Sequence, residues 1–140
     1  MLRYPFNTSA MSTIFSKIVA GEIPSYKIYE DDRFYAFLDI NPLAKGHTLV
    51  VPKVETDYLF DLDDDLLGDM MLKAKKVAKA IDKTMECKRV GVAVLGLEVP
   101  HAHIHLVPIN DLHDIEFSKP KLQLSKDEFL AIAEKISAAI

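Results

Sequence analysis

Residues 101–107 have the sequence His-Ala-His-Ile-His-Leu-Val and hold three of the five histidines of the chain. Side chains on a β-strand point alternately to opposite faces. A strand here therefore places all three imidazoles on one face and turns Ala102, Ile104 and Leu106 toward a core. Neighbouring imidazoles on one strand face start about 6.5 Å apart, close enough to share one anionic group or one metal ion. We predict a strand over 101–109 whose polar face is a functional site.

The row His101, His103 and His105 favours a chemical role over a packing role. A strand face occupied only by imidazoles has no packing advantage, and histidine titrates near neutral pH, which suits acid–base or nucleophilic work. A lone histidine such as His113 is more simply interpreted as a hydrogen-bonded surface residue. Two chemistries stay open at this point: an open tri-histidine metal site, or a metal-free phosphate site with a histidine nucleophile.

The other elements are predicted by apolar spacing and turn formers. An amphipathic pattern with acids at its start, from Asp63 to Met85, predicts a long helix. Ser125 and Glu128 form a capping-box pattern that predicts the start of a final helix. The segment 110–124 is polar and aperiodic, which predicts a surface loop. The full set is a helix through 14–19 capped by Thr13 or Ser12, an antiparallel hairpin of strands over 26–29 and 34–40, strands over 47–51, 90–97 and 101–109, and helices over 63–85 and 126–137.

Composition narrows the classes of protein. The 140 residues are 49% apolar, with 17 Lys and Arg against 21 Asp and Glu and a formal net charge of −4. This predicts one acidic globular domain and argues against a nucleic-acid partner, because such binding neutralises phosphates.

Cys87 is the only cysteine, which excludes an intrachain disulfide and favours a cytoplasmic location. The longest apolar run, 90–97, is too short to span a membrane. Residues 1–10 precede the first pattern, and we predict a disordered extension there.

The triad and several further blocks carry a family resemblance. His-x-His-x-His followed by two apolar residues is the signature of the histidine triad (HIT) superfamily, and the chain resembles its nucleotide-binding hydrolase, or Hint-like, branch. The resemblance covers about residues 13–108. Its other blocks, in the order and spacing of the family, are 13–18 (TIFSKI), 21–24 (GEIP), 29–32 (YEDD), 37–42 (FLDINP) and 46–53 (GHTLVVPK).

The resemblance implies an α+β, HIT-like fold. Each subunit would have a five-stranded antiparallel sheet, a short N-terminal helix, one long helix and a C-terminal helix. Two subunits would pair into a homodimer through the long helix and a sheet edge. We expect residues 11–110 to form the HIT domain, and the loop and helix over 111–140 to pack on the same domain.

The resemblance also implies roles for single residues. His103 resembles the nucleophile that takes up a nucleotidyl group. His101 and His105 resemble the flanking histidines that bind phosphate oxygens and orient the nucleophile, and His47 resembles a fourth histidine behind them. Asp39 resembles the carboxylate that holds the ribose hydroxyls. The apolar slot for the purine base corresponds to Ile14, Phe15, Ile18, Phe37, Leu38 and Ile40.

Two departures from the family pattern change the expectations. Relatives carry a Cys-x-x-Cys and a later histidine that hold a structural zinc with a triad histidine, whereas this chain has Thr13, Ser16 and Glu55 at those positions. We therefore expect no metal and no cofactor. Relatives commonly carry Gly-Gln before the triad, where this chain has Gly96-Leu97-Glu98. A carboxylate at Glu98 repels a phosphate unless it is protonated, turned away or opposite a cationic leaving group.

Residues and resemblance together predict an enzyme that binds a purine nucleotide. The predicted activity is hydrolysis or transfer at the α-phosphate of AMP phosphoramidate or a similar adenosine 5′-phosphate derivative, through a nucleotidyl-histidine intermediate. A dinucleoside polyphosphate hydrolase is the alternative within the same chemistry. A non-catalytic nucleotide-binding module and a tri-histidine metallohydrolase are the alternatives from other classes.

Overall fold

A five-stranded antiparallel sheet with the order β1-β2-β3-β5-β4 forms the centre of the fold. The computed structural model describes residues 12–140, and the extension predicted over 1–10 lies outside them. The predicted α+β architecture, with a short, a long and a C-terminal helix, is confirmed. In chain order the elements are α1 (Ile14–Val19), β1 (Lys27–Glu30), β2 (Phe34–Leu38), β3 (Thr48–Pro52), α2 (Asp64–Thr84), β4 (Arg89–Ala93), β5 (Ile104–Ile109) and α3 (Lys126–Ser137), with 3-10 turns at Leu59–Asp61 and Leu112–Ile115.

The helices begin where the sequence predicts, because their caps are local. Thr13 caps α1 and Asp63 caps α2, each by accepting a hydrogen bond from a backbone N–H three residues on. Ser125 and Glu128 form the predicted capping box at the start of α3. The last helix therefore spans the predicted residues 126–137.

The strands differ from the predicted ranges, and the difference matters most at the histidines. β1 and β3 are displaced by one residue, while β2 and β4 end two and four residues early. β5 begins at Ile104, so His101, Ala102 and His103 precede the strand instead of starting it. The physical reason is that the Ala102 N–H donates to the backbone oxygen of Thr56, 2.6 Å away and outside the sheet. The sheet ladder does not hold the first two triad histidines.

The two faces of the sheet are covered by different helices. α2 and α3 pack on one face, where their apolar side chains join Ile104 and Leu106 in the main core. Phe15 of α1 packs with Phe37 and its neighbours in a second, smaller cluster. His105 lies between two core residues of β5, so the alternation of a strand turns it away from the main core and toward the side of α1.

The helices over the main core are amphipathic. α2 buries Met70, Ala74, Val77, Ala80 and Ile81, and α3 buries Phe129, Ile132, Ala133 and Ile136. Within residues 12–140 no helix combines the length and the apolar character needed to cross a bilayer. The contacts of α3 place the C-terminal segment against the same core, while the boundaries at residues 10 and 110 stay predictions.

Candidate active site

Four histidines form a buried cluster beside the central strands. His47 directly precedes β3, His105 lies in β5, and His101 and His103 lie in the segment before β5. All four are at most 8% exposed. Ring centroids are 5.0 Å apart for His103 and His105, and 5.2 Å apart for His105 and His47. The structure therefore brings together the three triad histidines and the fourth histidine that the sequence singled out.

The His103 ring is held in one tautomer. Its Nδ1 lies 2.7 Å from the backbone oxygen of His101. A carbonyl oxygen only accepts hydrogen bonds, so Nδ1 carries the proton and Nε2 of the neutral ring carries a lone pair. Burial lowers the pKa of His103 below its ordinary 6.5, against the opposing effects of this hydrogen bond and of Asp39 and Glu98. The ring is thus neutral at physiological pH, which is the form a nucleophile requires.

His47 fixes the opposite tautomer on His105. The Leu43 backbone N–H donates to His47 Nδ1 at 3.0 Å, which places the His47 proton on Nε2. Nε2 in turn donates to His105 Nδ1 at 2.9 Å, so the His105 proton lies on its own Nε2. Burial is the main cause that lowers the pKa of His47 to about 4 and that of His105 to about 3. A neutral ring with an N–H donor therefore lies beside the His103 ring.

His101 has hydrogen-bond partners at both ring nitrogens. Its Nε2–H donates to the backbone oxygen of Pro52 at 2.8 Å, and its Nδ1 lies 2.7 Å from Thr13 Oγ1. Burial lowers the pKa of His101, so the ring is neutral and Nδ1 accepts from the Thr13 hydroxyl. Neither nitrogen is left for a phosphate oxygen. Direct binding of a phosphate oxygen by His101 stays a prediction that these two hydrogen bonds do not favour, while the His101 carbonyl accepts from His103 Nδ1.

Two carboxylates act on the histidine cluster. Asp39 Oδ2 lies 3.6 Å from His47 Nε2, and its Oδ1 accepts the Asn41 N–H at 2.8 Å. Burial raises the pKa of Asp39 above its ordinary value. Glu98 is exposed, and its charge acts on both Asp39 and His103. Glu98 is therefore close enough to influence a ligand bound at His103.

Three of the predicted slot residues lie together next to the histidines. Phe15 contacts Phe37 with ring centroids 5.5 Å apart, and it contacts His103 at 5.0 Å. Ile18 belongs to the same apolar cluster. All three apolar residues are less than 10% exposed, so they form a buried apolar layer beside the histidine cluster.

The other three slot residues are placed differently from one another. Ile14 and Ile40 are 48% and 64% exposed, so their side chains are open to solvent. Leu38 lies in the main core with α2 and α3, on the opposite face of the sheet from Phe37. The reason is strand alternation, since neighbouring residues of β2 point to opposite faces. The structure does not bring the Leu38 side chain to the histidines.

Two residues of the segment predicted as a surface loop lie at the histidine cluster, although no sequence pattern indicated them. The Phe117 ring lies 4.6 Å from His105 and 6.0 Å from His47, centroid to centroid. Lys121 Nζ donates to the backbone oxygen of Phe117, and its charge acts on Asp39 and His47. The one signal for this contact was Phe117 itself, the single aromatic residue of the stretch 110–124.

The residues at the zinc positions of the family do not fit zinc. The usual protein ligands of zinc are cysteine, histidine and carboxylate groups. The hydroxyls of Thr13 and Ser16 are not among them, and His101 Nδ1 is already hydrogen-bonded to Thr13. Glu55 Oε1 instead accepts from the Thr13 N–H and from Ser16 Oγ, both at 2.7 Å. These four side chains meet as a hydrogen-bonded cluster.

The triad does not have the geometry of a tri-histidine metal site. Over residues 12–140, the group whose potential ligand atoms all lie within 4.8 Å of one another is Asp39, His47 and His105. Two of those ligand nitrogens share the 2.9 Å hydrogen bond between His47 and His105. Holding a metal there would require that hydrogen bond to break.

Fold and site together define a class of protein: an α+β domain in which a His-x-His-x-His segment, entering a central strand, forms a buried cluster with a fourth histidine. The model of the HIT domain family matches residues 20–112. The chain therefore belongs to the HIT domain family, which confirms the resemblance stated from the sequence.

Named relatives place the chain near the Hint branch of that family. It is 36% identical over 132 residues to adenosine 5′-monophosphoramidase hnt1 of Schizosaccharomyces pombe, covering 93% of this chain and 99% of that protein. It is 43% identical over 99 residues to adenosine 5′-monophosphoramidase HNT1 of Saccharomyces cerevisiae, covering 70% and 63%. The crystal structure of a HIT-like protein involved in cell-cycle regulation from Bartonella henselae matches with a TM-score of 0.79 at 34% identity, covering 91% and 96%.

Proposed function

We propose that this protein is a purine nucleotide hydrolase or transferase that cleaves the bond between the α-phosphate and a leaving group, with AMP phosphoramidate or a similar adenosine 5′-phosphate derivative as substrate. The observation that carries the proposal is the hydrogen bond from His103 Nδ1 to the His101 carbonyl, which leaves a neutral Nε2 lone pair. The adenosine 5′-monophosphoramidases among its relatives support the same activity. A cytoplasmic location stays a prediction.

The reaction divides into two displacements at phosphorus. His103 Nε2 attacks the α-phosphorus, the bond from phosphorus to the leaving nitrogen breaks, and the amine departs after taking up one proton. Water then attacks the nucleotidyl-histidine, the bond from phosphorus to Nε2 breaks, and AMP is released with one proton. A covalent intermediate replaces one difficult displacement with two easier ones.

The other residues of the site bind and orient the substrate in this proposal. The His105 Nε2–H donates to a phosphate oxygen, because His47 holds its other nitrogen as an acceptor. Asp39 accepts hydrogen bonds from the ribose hydroxyls. The purine base packs against the apolar cluster of Phe15, Ile18 and Phe37 and against the exposed Ile14 and Ile40.

A second substrate class has one observation in its favour. Lys121 lies at the histidine cluster, and its charge acts on Asp39 and His47. An ammonium there would attract an anionic leaving group, as in a dinucleoside polyphosphate. The carboxylate of Glu98 would instead repel an anionic leaving group and attract a cationic one. The balance between the charges of Lys121 and Glu98 therefore decides which leaving group is preferred.

We further propose that the protein is a homodimer. β4 is an edge strand of the sheet, and an unpaired edge is a template for pairing with another chain. The apolar residues of β4 and the segment after it are exposed: Val92 at 52%, Val94 at 40%, Leu95 at 51% and Leu97 at 90%. Met71 and Leu72 of α2 are also exposed, at 47% and 63%. Apolar surface of this extent fits a two-fold interface through the sheet edge and the long helix.

The activity is tested by turnover of a substrate panel combined with trapping of the intermediate. The panel contains AMP phosphoramidates, dinucleoside polyphosphates and nucleotidyl sugars. We expect wild type to turn over AMP phosphoramidate, and rapid alkaline quench of labelled substrate to trap a nucleotidyl adduct that is lost on later exposure to acid. His103→Ala should abolish turnover while AMP binding stays within about tenfold, because a nucleophile acts in the transition state.

His113→Gln is the matched control, since this histidine is 80% exposed on its side chain and pairs with Glu116. It should keep wild-type turnover. Near-native turnover by His103→Ala would show that His103 is not the nucleophile. Tight AMP binding without turnover of any panel member would favour the non-catalytic binding module.

A further inference from the structure

The segment that carries His101 and His103 depends on contacts outside the sheet. β5 begins at Ile104, so no strand pairing holds the nucleophile His103 or the His101 carbonyl that orients it. The Ala102 N–H bonded to the Thr56 oxygen holds the segment, and so does the His101 ring, which is fully buried and hydrogen-bonded to Thr13 and Pro52. The ring of His101 is therefore part of what places its own backbone.

Thr13 sets the state of that ring. Since Pro52 oxygen takes the Nε2 proton, Nδ1 is an acceptor, and a donor must meet it. The Thr13 hydroxyl lies at 2.7 Å, while the Ser16 hydroxyl lies at 3.5 Å. A distance of 3.5 Å is at the limit for a hydrogen bond, so Thr13 is the donor that satisfies the His101 ring.

Glu55 determines that Thr13, rather than Ser16, donates to His101 Nδ1. Its Oε1 accepts the Thr13 backbone N–H and the Ser16 hydroxyl, each at 2.7 Å. The Ser16 hydroxyl proton is therefore directed to Glu55. The Thr13 hydroxyl also acts on the Glu55 carboxyl, but its 2.7 Å contact is with His101 Nδ1. Although partial burial opposes it, these hydrogen bonds lower the pKa of the Glu55 carboxyl, which stays ionised as an acceptor.

A continuous path of contacts then leads from α1 to the nucleophile. Glu55 holds Thr13, Thr13 holds the His101 ring, and the His101 carbonyl accepts the proton of His103 Nδ1. Phe15, two residues after the Thr13 cap, packs on the same two histidines with ring centroids 5.8 Å from His101 and 5.0 Å from His103.

We propose that Thr13, held by Glu55, is a positioning residue for the nucleophile: its hydroxyl fixes the His101 ring, and through the His101 carbonyl it keeps His103 in the tautomer with Nε2 free. The hydrogen-bonded cluster of Thr13, Ser16, Glu55 and His101 holds the segment before β5 in place without a metal ion. The role in turnover rests on the function proposed above, whereas the tautomer of His103 can be measured without any activity.

The kinetic test compares three threonine variants on AMP phosphoramidate. Thr13→Val keeps the size of the side chain and removes the hydroxyl, and we expect kcat to fall about 10- to 100-fold with KM within about twofold, since misplacement of a reacting group acts on the transition state. Thr13→Ser restores the hydroxyl and should recover most of the lost kcat. Thr84→Val also removes a hydroxyl hydrogen bond, here to Ala80 in α2, and should leave kcat and KM at wild-type values.

The spectroscopic test separates this proposal from the proposed activity. Two-bond nitrogen–proton correlation spectra of histidine-labelled protein distinguish Nδ1–H from Nε2–H rings. We expect wild-type His103 as a single Nδ1–H tautomer and Thr13→Val His103 as a mixture of both. A Thr13→Val protein with wild-type kcat, or with His103 still a single Nδ1–H tautomer, overturns the proposal. Wild-type protein without turnover would remove the proposed function, and the spectra alone would then decide the positioning role.

Glu55→Gln keeps the proposal testable if Thr13→Val does not fold. The amide oxygen still accepts from Thr13 and Ser16, but without a full negative charge it does so more weakly. We expect a severalfold lower kcat with KM unchanged, and a measurable share of the second His103 tautomer. A Glu55→Gln protein that matches wild type in kcat and in the His103 tautomer seen by the nitrogen–proton correlation spectra would refute the role assigned to Glu55.

Discussion

His47 Nε2 lies 2.9 Å from His105 Nδ1, and 58 positions of sequence separate the two residues. Both rings are buried, and the bond requires one nitrogen to donate and the other to accept. The bond can form when both rings are neutral, or when one ring carries an additional proton and the other is neutral. Protonating both rings would break it, because neither facing nitrogen could then accept. The depressed pKa values of about 4 and about 3 express the same constraint.

This pair predicts an acid-sensitive fold. In the unfolded chain both histidines titrate near 6.5, so between pH 6.5 and about pH 4 the unfolded state binds more protons than the folded state. Stability therefore rises with pH in that window and is lost as pH falls. We expect the free energy of unfolding from urea titrations to fall by at least about 1 kcal/mol between pH 7 and pH 5. Glu134→Gln, an exposed change on α3, should show the same fall, and equal urea midpoints at both pH values would contradict the prediction.

The activity profile should report the neutral state of His103. Because burial lowers its pKa below 6.5, we expect kcat/KM for AMP phosphoramidate to be flat from pH 8 down to pH 6.5 and to fall only at lower pH. The acid limb of kcat/KM reports the ionisation of the free enzyme. A midpoint at or above pH 6.5 would show that the ring is not held neutral.

Glu98 should select among leaving groups by charge. Glu98→Gln removes a negative charge next to His103, so we expect kcat/KM to rise about two- to fivefold for a dinucleoside polyphosphate and to fall similarly for an AMP phosphoramidate with a cationic amine. Unsubstituted AMP phosphoramidate is the reference. Glu134→Gln, an exposed change on α3, should affect none of the three. An equal change for all three substrates would mean that Glu98 does not face the leaving group.

The exposed edge of the sheet predicts the oligomeric state. We expect light scattering to give a mass near twice the 15.7 kDa of the chain. Val92→Lys places a charge on the exposed edge strand and should yield a monomer. Leu130→Lys alters an exposed apolar residue of α3, 47% exposed, and should stay dimeric. A wild-type monomer at micromolar concentration would exclude the homodimer.

Metal analysis should distinguish the phosphate site from a metallohydrolase. The His101 nitrogens are bonded to Thr13 and Pro52, and His47 is bonded to His105. We therefore expect well under one equivalent of metal in the purified protein and unchanged turnover after dialysis against a strong chelator. Stoichiometric zinc, with turnover lost on chelation and restored by added metal, would make the metallohydrolase the leading hypothesis.

Much of the fold was readable from the sequence because its signals are local. The capping box at Ser125 and Glu128, and the apolar stripe of α2, involve residues three or four positions apart, and backbone geometry alone determines how such residues meet. The alternation of Ala102, Ile104 and Leu106 likewise identified which side of the triad faces the core. The first two triad histidines still fall outside the strand, because a strand also needs a partner and the Ala102 N–H bonds to Thr56 instead.

The sequence by itself determined that the chain has a histidine triad, four histidines of interest and an α+β order of elements. Only the tertiary structure decided the protonation of each ring, because the partners come from distant parts of the chain: Thr13 lies 88 positions from His101, and His47 lies 58 positions from His105. No local sequence pattern predicted the contact of Phe117 with His105 either. A tautomer depends on which donor or acceptor meets a given nitrogen within hydrogen-bond distance, and packing sets that distance while sequence spacing does not.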